Sequence, residues 1–240
     1  MTVGNPILNQ KPDIFSLGDG ALTIDLGNQI SETLNNKVLA MQQWLQEHPF
    51  DGLLDIIPAY SSLTIVYDPF LIKNTHQPVS SVFAWVQEKV AAAFDQSGPH
   101  AGGTAVRHRI PVCYDPEFGP DLSFLAHQKQ LEPAEVVQLH TTRIYRIHMI
   151  GFLPGFSYMA EVDERIALNR KNTPVLVQAG SVGIAGSQTG IYPFTCPGGW
   201  NIIGRTPLKM FNALVRNPVL LKAGDEVEFY GISKDEFAAV

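Results

Sequence analysis

Three stretches of this sequence hold the residue types best suited to chemistry. The first is Gly151-Phe-Leu-Pro-Gly-Phe-Ser-Tyr158. Glycine and proline set among large apolar residues make a poor strand and a poor helix. Two readings fit: a buried aromatic turn in which glycine supplies unusual backbone angles, or a binding loop in which Phe152, Pro154, Phe156 and Tyr158 wall a pocket. The second stretch is Ala179-Gly-Ser-Val-Gly-Ile-Ala-Gly-Ser-Gln-Thr-Gly190, followed by Ile191-Tyr-Pro-Phe. Its glycines invite a phosphate-loop reading. No Lys-Ser or Lys-Thr pair closes the loop, however, and no helix pattern follows it. An anion-binding nest of backbone amides and a tight connection between barrel strands both stay open. Gln188 adds an amide and Thr189 a hydroxyl beside Gly186, which suits orienting a small polar substrate. The third stretch is Cys196-Pro-Gly-Gly-Trp200, leading to Gly204-Arg-Thr-Pro207. Trp200 anchors a core or lines a pocket next to Gly198 and Gly199. Arg205 is a fixed planar cation matched to a carboxylate or phosphate, or else a surface ion-pair partner.

Other chemistry is weakly supported. A catalytic thiolate needs a neighbouring base or cation, and no histidine lies near Cys196 in sequence. A structural cysteine is the better reading. His140 and His148 would share one face if the segment between them were a strand. Arg146 would then lie between them, which argues against a metal site. No Gly-x-Ser-x-Gly elbow supports a hydrolase triad. Asp115, Glu117 and Asp121 cluster after Cys113, and Asp121 is placed to cap a helix.

These stretches need a frame. The first hundred residues alternate strands and helices. Ile14–Leu17 and Leu22–Leu26 flank Gly-Asp-Gly as a hairpin. Leu34, Val38, Met41 and Leu45 make one helical stripe that Pro49 ends. Leu53–Ile57 and Leu63–Tyr67 read as strands. Val79, Val82, Phe83, Val86, Val90 and Phe94 mark a second helix, and a break at Ser97–Gly103 precedes a strand around Val106–Val112. That order is the ferredoxin-like pattern. Further on, 121–130 and 133–139 read as short helices. Strands are expected at Arg143–Ile150, Val175–Gln178, Gly183–Ala185, Trp200–Arg205 and Val227–Tyr230. Short strands between turns suggest a closed barrel or sandwich. The expected division is a small α/β domain over 1–105 and a β domain over 106–240, an α+β chain overall.

Composition narrows the partners. At 45% hydrophobic and 17% charged residues, the 240-residue chain is an ordinary folded protein. A net charge of −6 argues against nucleic acid. The helix-turn-helix-like layout at 121–139 agrees with that exclusion, because its second helix offers Glu135 and Gln138 and no basic residue. No apolar run suffices to cross a membrane. The opening residues carry neither part of a signal peptide, and two cysteines, Cys113 and Cys196, are too few for a disulfide framework. The expected location is the cytosol, and homo-oligomer formation stays open.

The three stretches occur together and in order. Gly-Phe-Leu-Pro-Gly-Phe-x-Tyr, then Ala-Gly-Ser-Val-Gly-Ile-x-Gly-x-Gln-Thr-Gly-Ile-Tyr-Pro, then Pro-Gly-Gly-Trp-x-x-Ile-Gly-Arg-Thr-Pro resemble the KipI family, also called the 5-oxoprolinase B subunits or allophanate hydrolase subunit 1. Ile110-Pro-Val-Cys-Tyr and Val136-Val-Gln-Leu-His140 fit it too. The resemblance implies a small α/β first domain and a cyclophilin-like β-barrel. It implies a B subunit that pairs with a C subunit of related barrel fold and, with an A subunit, opens 5-oxoproline to glutamate using ATP. The chain alone would bind no cofactor and no metal. Other branches act on urea-type amides or inhibit a sporulation histidine kinase by binding its dimerisation helices. A substrate site would draw on Phe152, Pro154, Phe156, Tyr158, Gly186, Tyr192, Gly198, Gly199 and Trp200. Gln188 and Thr189 would orient the amide, and Arg205 would balance negative charge. This sequence departs from the family pattern at Ser157, at Ile166–Thr173, at Ala185 and Ser187, at Cys196, and at Asp115-Pro116.

Overall fold

The computed structural model describes residues 12–77, 81–98 and 105–239. The chain divides into two compact units, Met1–Gly103 and Thr104–Val240.

In the first unit β1 (Asp13–Ser16) and β2 (Ala21–Asp25) form the hairpin, with Asp13 opposite Asp25 and Ser16 opposite Leu22. The Ser31 hydroxyl accepts the Leu34 N–H and starts α1 (Glu32–Glu47), whose Leu34, Val38, Met41 and Leu45 are all fully buried. β3 (Leu53–Pro58) and β4 (Ser62–Tyr67) follow. Next comes α2 (Pro69–His76), a short helix that carries no long apolar stripe and so left no periodic signal. The Asp68 carboxylate caps it by accepting two N–H groups, and Pro69 suits its first turn. α3 (Val82–Gln96) buries Val86, Val90 and Ala93. Val79, expected on the same face, lies outside the described residues. The four strands form an antiparallel sheet in the order β1-β2-β4-β3.

The strand expected to complete that alternation, around Val106–Val112, joins the second unit instead. As β5 (Arg107–Val112) it pairs in parallel with a strand at the far end of the chain. Then come α4 (Leu122–Lys129), α5 (Pro133–Thr141), β6 (Ile144–Ile150), β7 (Ser157–Ala160) and a short 3-10 turn at Glu164–Ile166. They are followed by β8 (Val175–Val177), β9 (Ser181–Ala185), β10 (Gln188–Ile191), β11 (Cys196–Gly198), β12 (Asn201–Arg205), β13 (Glu226–Gly231) and α6 (Lys234–Ala238). Seven strands form one mixed sheet, β12-β9-β10-β7-β6-β13-β5, while β8 and β11 pair separately. The two ends of the sheet meet. Cys113 N–H donates to the Arg205 carbonyl at 2.9 Å, and Arg205 N–H returns the bond at 3.0 Å. This nearly closes a β-barrel, and closure removes exposed edges. Its interior is packed with Tyr145, Ile147, Met159, Val182, Ile184, Ile191 and Phe229, with Leu125 of α4 and Val136 of α5 in the same core. Each such aliphatic side chain contributes about 1.5–3 kcal/mol by leaving water. The fold is α+β.

Candidate functional site

Successive residues of a strand leave its opposite faces. That rule sorts the barrel wall. Met159, Ile184 and Ile191 point inward, into the core. Tyr158 and Ile202 point the other way, into a separate cluster with Phe156, Val177, Tyr192 and Trp200. The rings of this outer cluster meet edge to face: Phe156 lies 4.9 Å from Tyr192 at 86° and 5.4 Å from Trp200 at 85°. Tyr158 lies 5.8 Å from Trp200. Such pairs add about 0.5–1.5 kcal/mol each beyond area burial. The rings pack closely on the sheet where the strands carry glycine. A Cβ on Gly190 would come within 2.7 Å of the Ser157 carbonyl and 3.0 Å of the Trp200 ring, and one on Gly198 within 2.6 Å of the Tyr192 hydroxyl.

Beside these rings is a cavity of about 320 Å³. Phe152, Phe156, Tyr158, Tyr192, Gly198, Gly199 and Trp200 line it, as do Arg170, Lys171, Asn172, Pro174 and Pro197. Most of the ring-bearing residues expected from sequence therefore meet at one place. Phe152 stands at the rim, 66% exposed, with φ +64. A left-handed backbone is costly for a residue with a side chain, and such strain gathers at functional loops. The turn behind it is held by Gly151 N–H donating to the Phe156 carbonyl and Phe156 N–H donating to the Leu153 carbonyl. It is both an aromatic turn and a pocket wall.

The polar side of the cavity went unnoticed in the sequence. It is Arg170, Lys171 and Asn172, in a segment fixed from several directions. Asn201 donates its side-chain amide to the Asn169 carbonyl at 3.0 Å. Lys171 N–H donates to the Gly199 carbonyl at 2.7 Å. The Lys171 ammonium sits 2.6 Å from the Asp121 carboxylate, whose same oxygen accepts the Ile202 N–H at 2.7 Å. Asp121 makes no side-chain cap to α4; its carboxylate ties the pocket lysine to β12. The one sequence signal was Asn169-Arg-Lys-Asn172, a basic polar run in an acidic chain.

Other expected residues lie elsewhere. Pro154 is exposed and outside the lining. Gly186, with φ +60, opens the two-residue turn between β9 and β10, where glycine relieves the backbone. The glycine-rich stretch is thus a hairpin. Its Gly186 N–H is taken by the Leu168 carbonyl and its Gly180 N–H by the Tyr192 carbonyl, so neither amide is free for an anion. Arg205 lies outside the cavity lining and donates its Nε–H to the Ala179 carbonyl at 2.8 Å. It borders a smaller recess together with Glu117, Asp121 and Lys171.

Gln188 and Thr189 cannot act on one ligand together, because neighbours in β10 point to opposite faces. Thr189 is fully buried. Its hydroxyl donates to the Gly183 carbonyl at 3.1 Å and so accepts from Nε2–H of His140 at 3.0 Å. That fixes the His140 tautomer and leaves Nδ1 to accept from the Tyr114 hydroxyl at 2.8 Å. Every group in this run of hydrogen bonds is satisfied. Burial pushes the His140 pKa down to about 3, so the ring is neutral, and burial pushes the Tyr114 phenol well up. His140 lies in the last turn of α5 whereas His148 lies in β6, so the two share no strand face. Among the described residues no three His, Cys, Asp or Glu side chains group to hold a metal, and no helix is long and apolar enough to cross a membrane.

Burial acts on the pocket's two phenols. Burial pushes Tyr192 up to about 12, against a hydrogen bond from the Trp200 backbone that acts the other way, and burial also raises Tyr158. Both phenols keep their protons at neutral pH and can donate. Burial raises the Cys196 thiol, the opposite of activation.

Residues 12–221 match the family described as carboxyltransferase domain, subdomain C and D. The protein is similar to the 5-oxoprolinase B subunit of Bacillus subtilis (strain 168), with 42% identity over 228 residues, 94% of this chain and 95% of that one. It is similar to the 5-oxoprolinase B subunit of Haemophilus influenzae, with 35% identity over 219 residues, 90% of this chain and 96% of that one. The crystal structure of TTHA0988 superposes with a TM-score of 0.75 at 33% identity, over 89% of this chain and 40% of that longer one.

Proposed function

The chain belongs to the family of 5-oxoprolinase B subunits, also called KipI or allophanate hydrolase subunit 1, and we infer from this that it is the B subunit of an ATP-dependent complex that hydrolyses 5-oxo-L-proline to L-glutamate. Opening an unstrained lactam needs an activated amide carbonyl, a water nucleophile and a group to take up and return protons. One observation supports a shared task. The cavity is lined by aromatic rings, two cations, an amide and a Pro-Gly-Gly backbone, without a carboxylate, histidine, serine or cysteine among its lining residues. Such a wall binds and orients; the base and the phosphoryl chemistry come from partner chains. The flat faces of Tyr158 and Trp200 suit a planar lactam, the protonated Tyr192 phenol suits its carbonyl oxygen, and Arg170 and Lys171 suit its carboxylate.

The partners on this reading are a C subunit of related barrel fold and an A subunit, and ATP is a substrate of the assembly rather than a ligand of this chain alone. The location is the cytosol. The near-closed mixed sheet supports a cyclophilin-like barrel, and the order β1-β2-β4-β3 supports a ferredoxin-like first unit whose edge place is taken by β1. The division near residue 105 belongs to the same proposal. The test is omission. Purified A, B and C chains are mixed with 5-oxoproline and ATP, and glutamate is measured with each chain left out in turn. Release that needs all three supports the assignment; equal release without this chain refutes it.

A further inference from the structure

We propose that Arg170 is the specificity-determining residue of this pocket, the group that makes it select a ring bearing a carboxylate over a neutral amide. The inference rests on the cavity's being the lactam site proposed above. Its basis is the way this one side chain is presented. The backbone on either side of it is anchored, through the Asn169 carbonyl to Asn201 and through the Lys171 N–H to Gly199. The adjacent cation, Lys171, is already neutralised by Asp121 at 2.6 Å. Arg107, Arg109, Arg143 and Arg165 each face a carboxylate. Arg170, an exposed residue, lines the cavity, and its side chain meets no carboxylate among the described residues. A planar fork of donors on a pinned backbone, beside aromatic walls and without a carboxylate partner in the protein, suits a bidentate carboxylate on a ring held against those walls. Urea and other neutral amides offer that fork nothing.

The experiment uses the reconstituted complex with wild-type chain, Arg170→Met and Arg170→Lys. Two rings are compared: 5-oxoproline as substrate, and 2-pyrrolidinone, the same lactam without the carboxylate, as competitor. Losing a charge-assisted bidentate pair weakens binding by about 10–100-fold. Arg170→Met is therefore expected to raise KM for 5-oxoproline by that factor while kcat and the Ki of 2-pyrrolidinone hold. Arg170→Lys keeps the charge without the fork and falls between. An unchanged KM overturns the proposal, and so does an equal loss for both rings, which would mark a wall residue. A second readout stands apart from turnover. The Trp200 indole N–H of the full-length isolated chain is followed by NMR during titration with each ring. A shift with 5-oxoproline that Arg170→Met abolishes supports the proposal even if the complex proves inactive on 5-oxoproline. No shift with the wild-type chain, or an equal shift in the variant, overturns it.

Discussion

Replacing Thr189 by valine separates two accounts of the same residue. The sequence alone places its hydroxyl against a substrate amide. The structure places it in the barrel interior, between His140 and the Gly183 carbonyl. Valine keeps the shape and removes the oxygen. The His140 Nε2–H is then left without an acceptor inside a core where both side chains are fully buried. A buried donor with no partner costs about 1–3 kcal/mol. A loss of about 2 kcal/mol corresponds to roughly 30-fold faster amide exchange wherever opening of the barrel limits it. The assay is hydrogen exchange on a peptide spanning β9 and β10, because it reads this unit and ignores the other. Thr189→Ser keeps the hydroxyl and gives up one methyl, about 1 kcal/mol, and so sits between wild type and valine. Exchange within twofold of wild type in Thr189→Val would refute the buried chain of hydrogen bonds. So would intact protection together with a collapse of turnover, which would put the hydroxyl against the substrate.

Three further outcomes follow from the same geometry. His140 and His148 are held down to about 3 and about 4 by burial, against an ordinary value of 6.5. The unfolded chain therefore takes up protons first as pH falls. Barrel stability is full above the ordinary value and falls by roughly 1.4 kcal/mol per pH unit per histidine below it; urea midpoints that do not move between pH 7 and pH 5 would contradict this. Phe152→Gly relieves the left-handed backbone at the pocket rim and removes an aromatic wall, so thermal stability should hold or rise slightly while 5-oxoproline KM rises severalfold. Asp121→Asn keeps an acceptor for the Ile202 N–H but frees the Lys171 ammonium; calorimetry should find stability reduced by about 1–3 kcal/mol, the loss of a charged partner in a largely buried pair, and salt dependence of anion binding increased.

How much of this was legible depends on how local each signal was. The stripe Leu34-Val38-Met41-Leu45 needs only helical spacing, and all four residues are fully buried. β5 looked like the last strand of the first sheet because it follows α3, but its partner β13 lies more than a hundred residues away, and no local pattern records such a pairing. β10 was hidden for another reason. Gln188-Thr-Gly-Ile191 lacks the usual alternation because Gly190 must leave room for Trp200 and Phe156. Reading that strand as a loop let Gln188 and Thr189 share a task that alternation forbids. The aromatic wall was visible because rings beside glycines are unusual in any fold. Arg170, Lys171 and Asn172 were not, because a polar loop run looks the same whether solvated or pinned. Only the contacts to Asp121, Gly199 and Asn201 distinguish it.

The central claim is that this cavity holds the lactam while partner chains act on it. Asn172 is exposed, lines the cavity and takes no part in either core. Asn172→Trp should fill the space without disturbing the barrel. The measurement is ATP-dependent glutamate release from 5-oxoproline by the assembled complex carrying this variant, alongside the amount of complex formed. The account predicts assembly at the wild-type level and release reduced by at least about 100-fold, the loss of nearly all productive substrate binding. Assembly with unchanged release would contradict it.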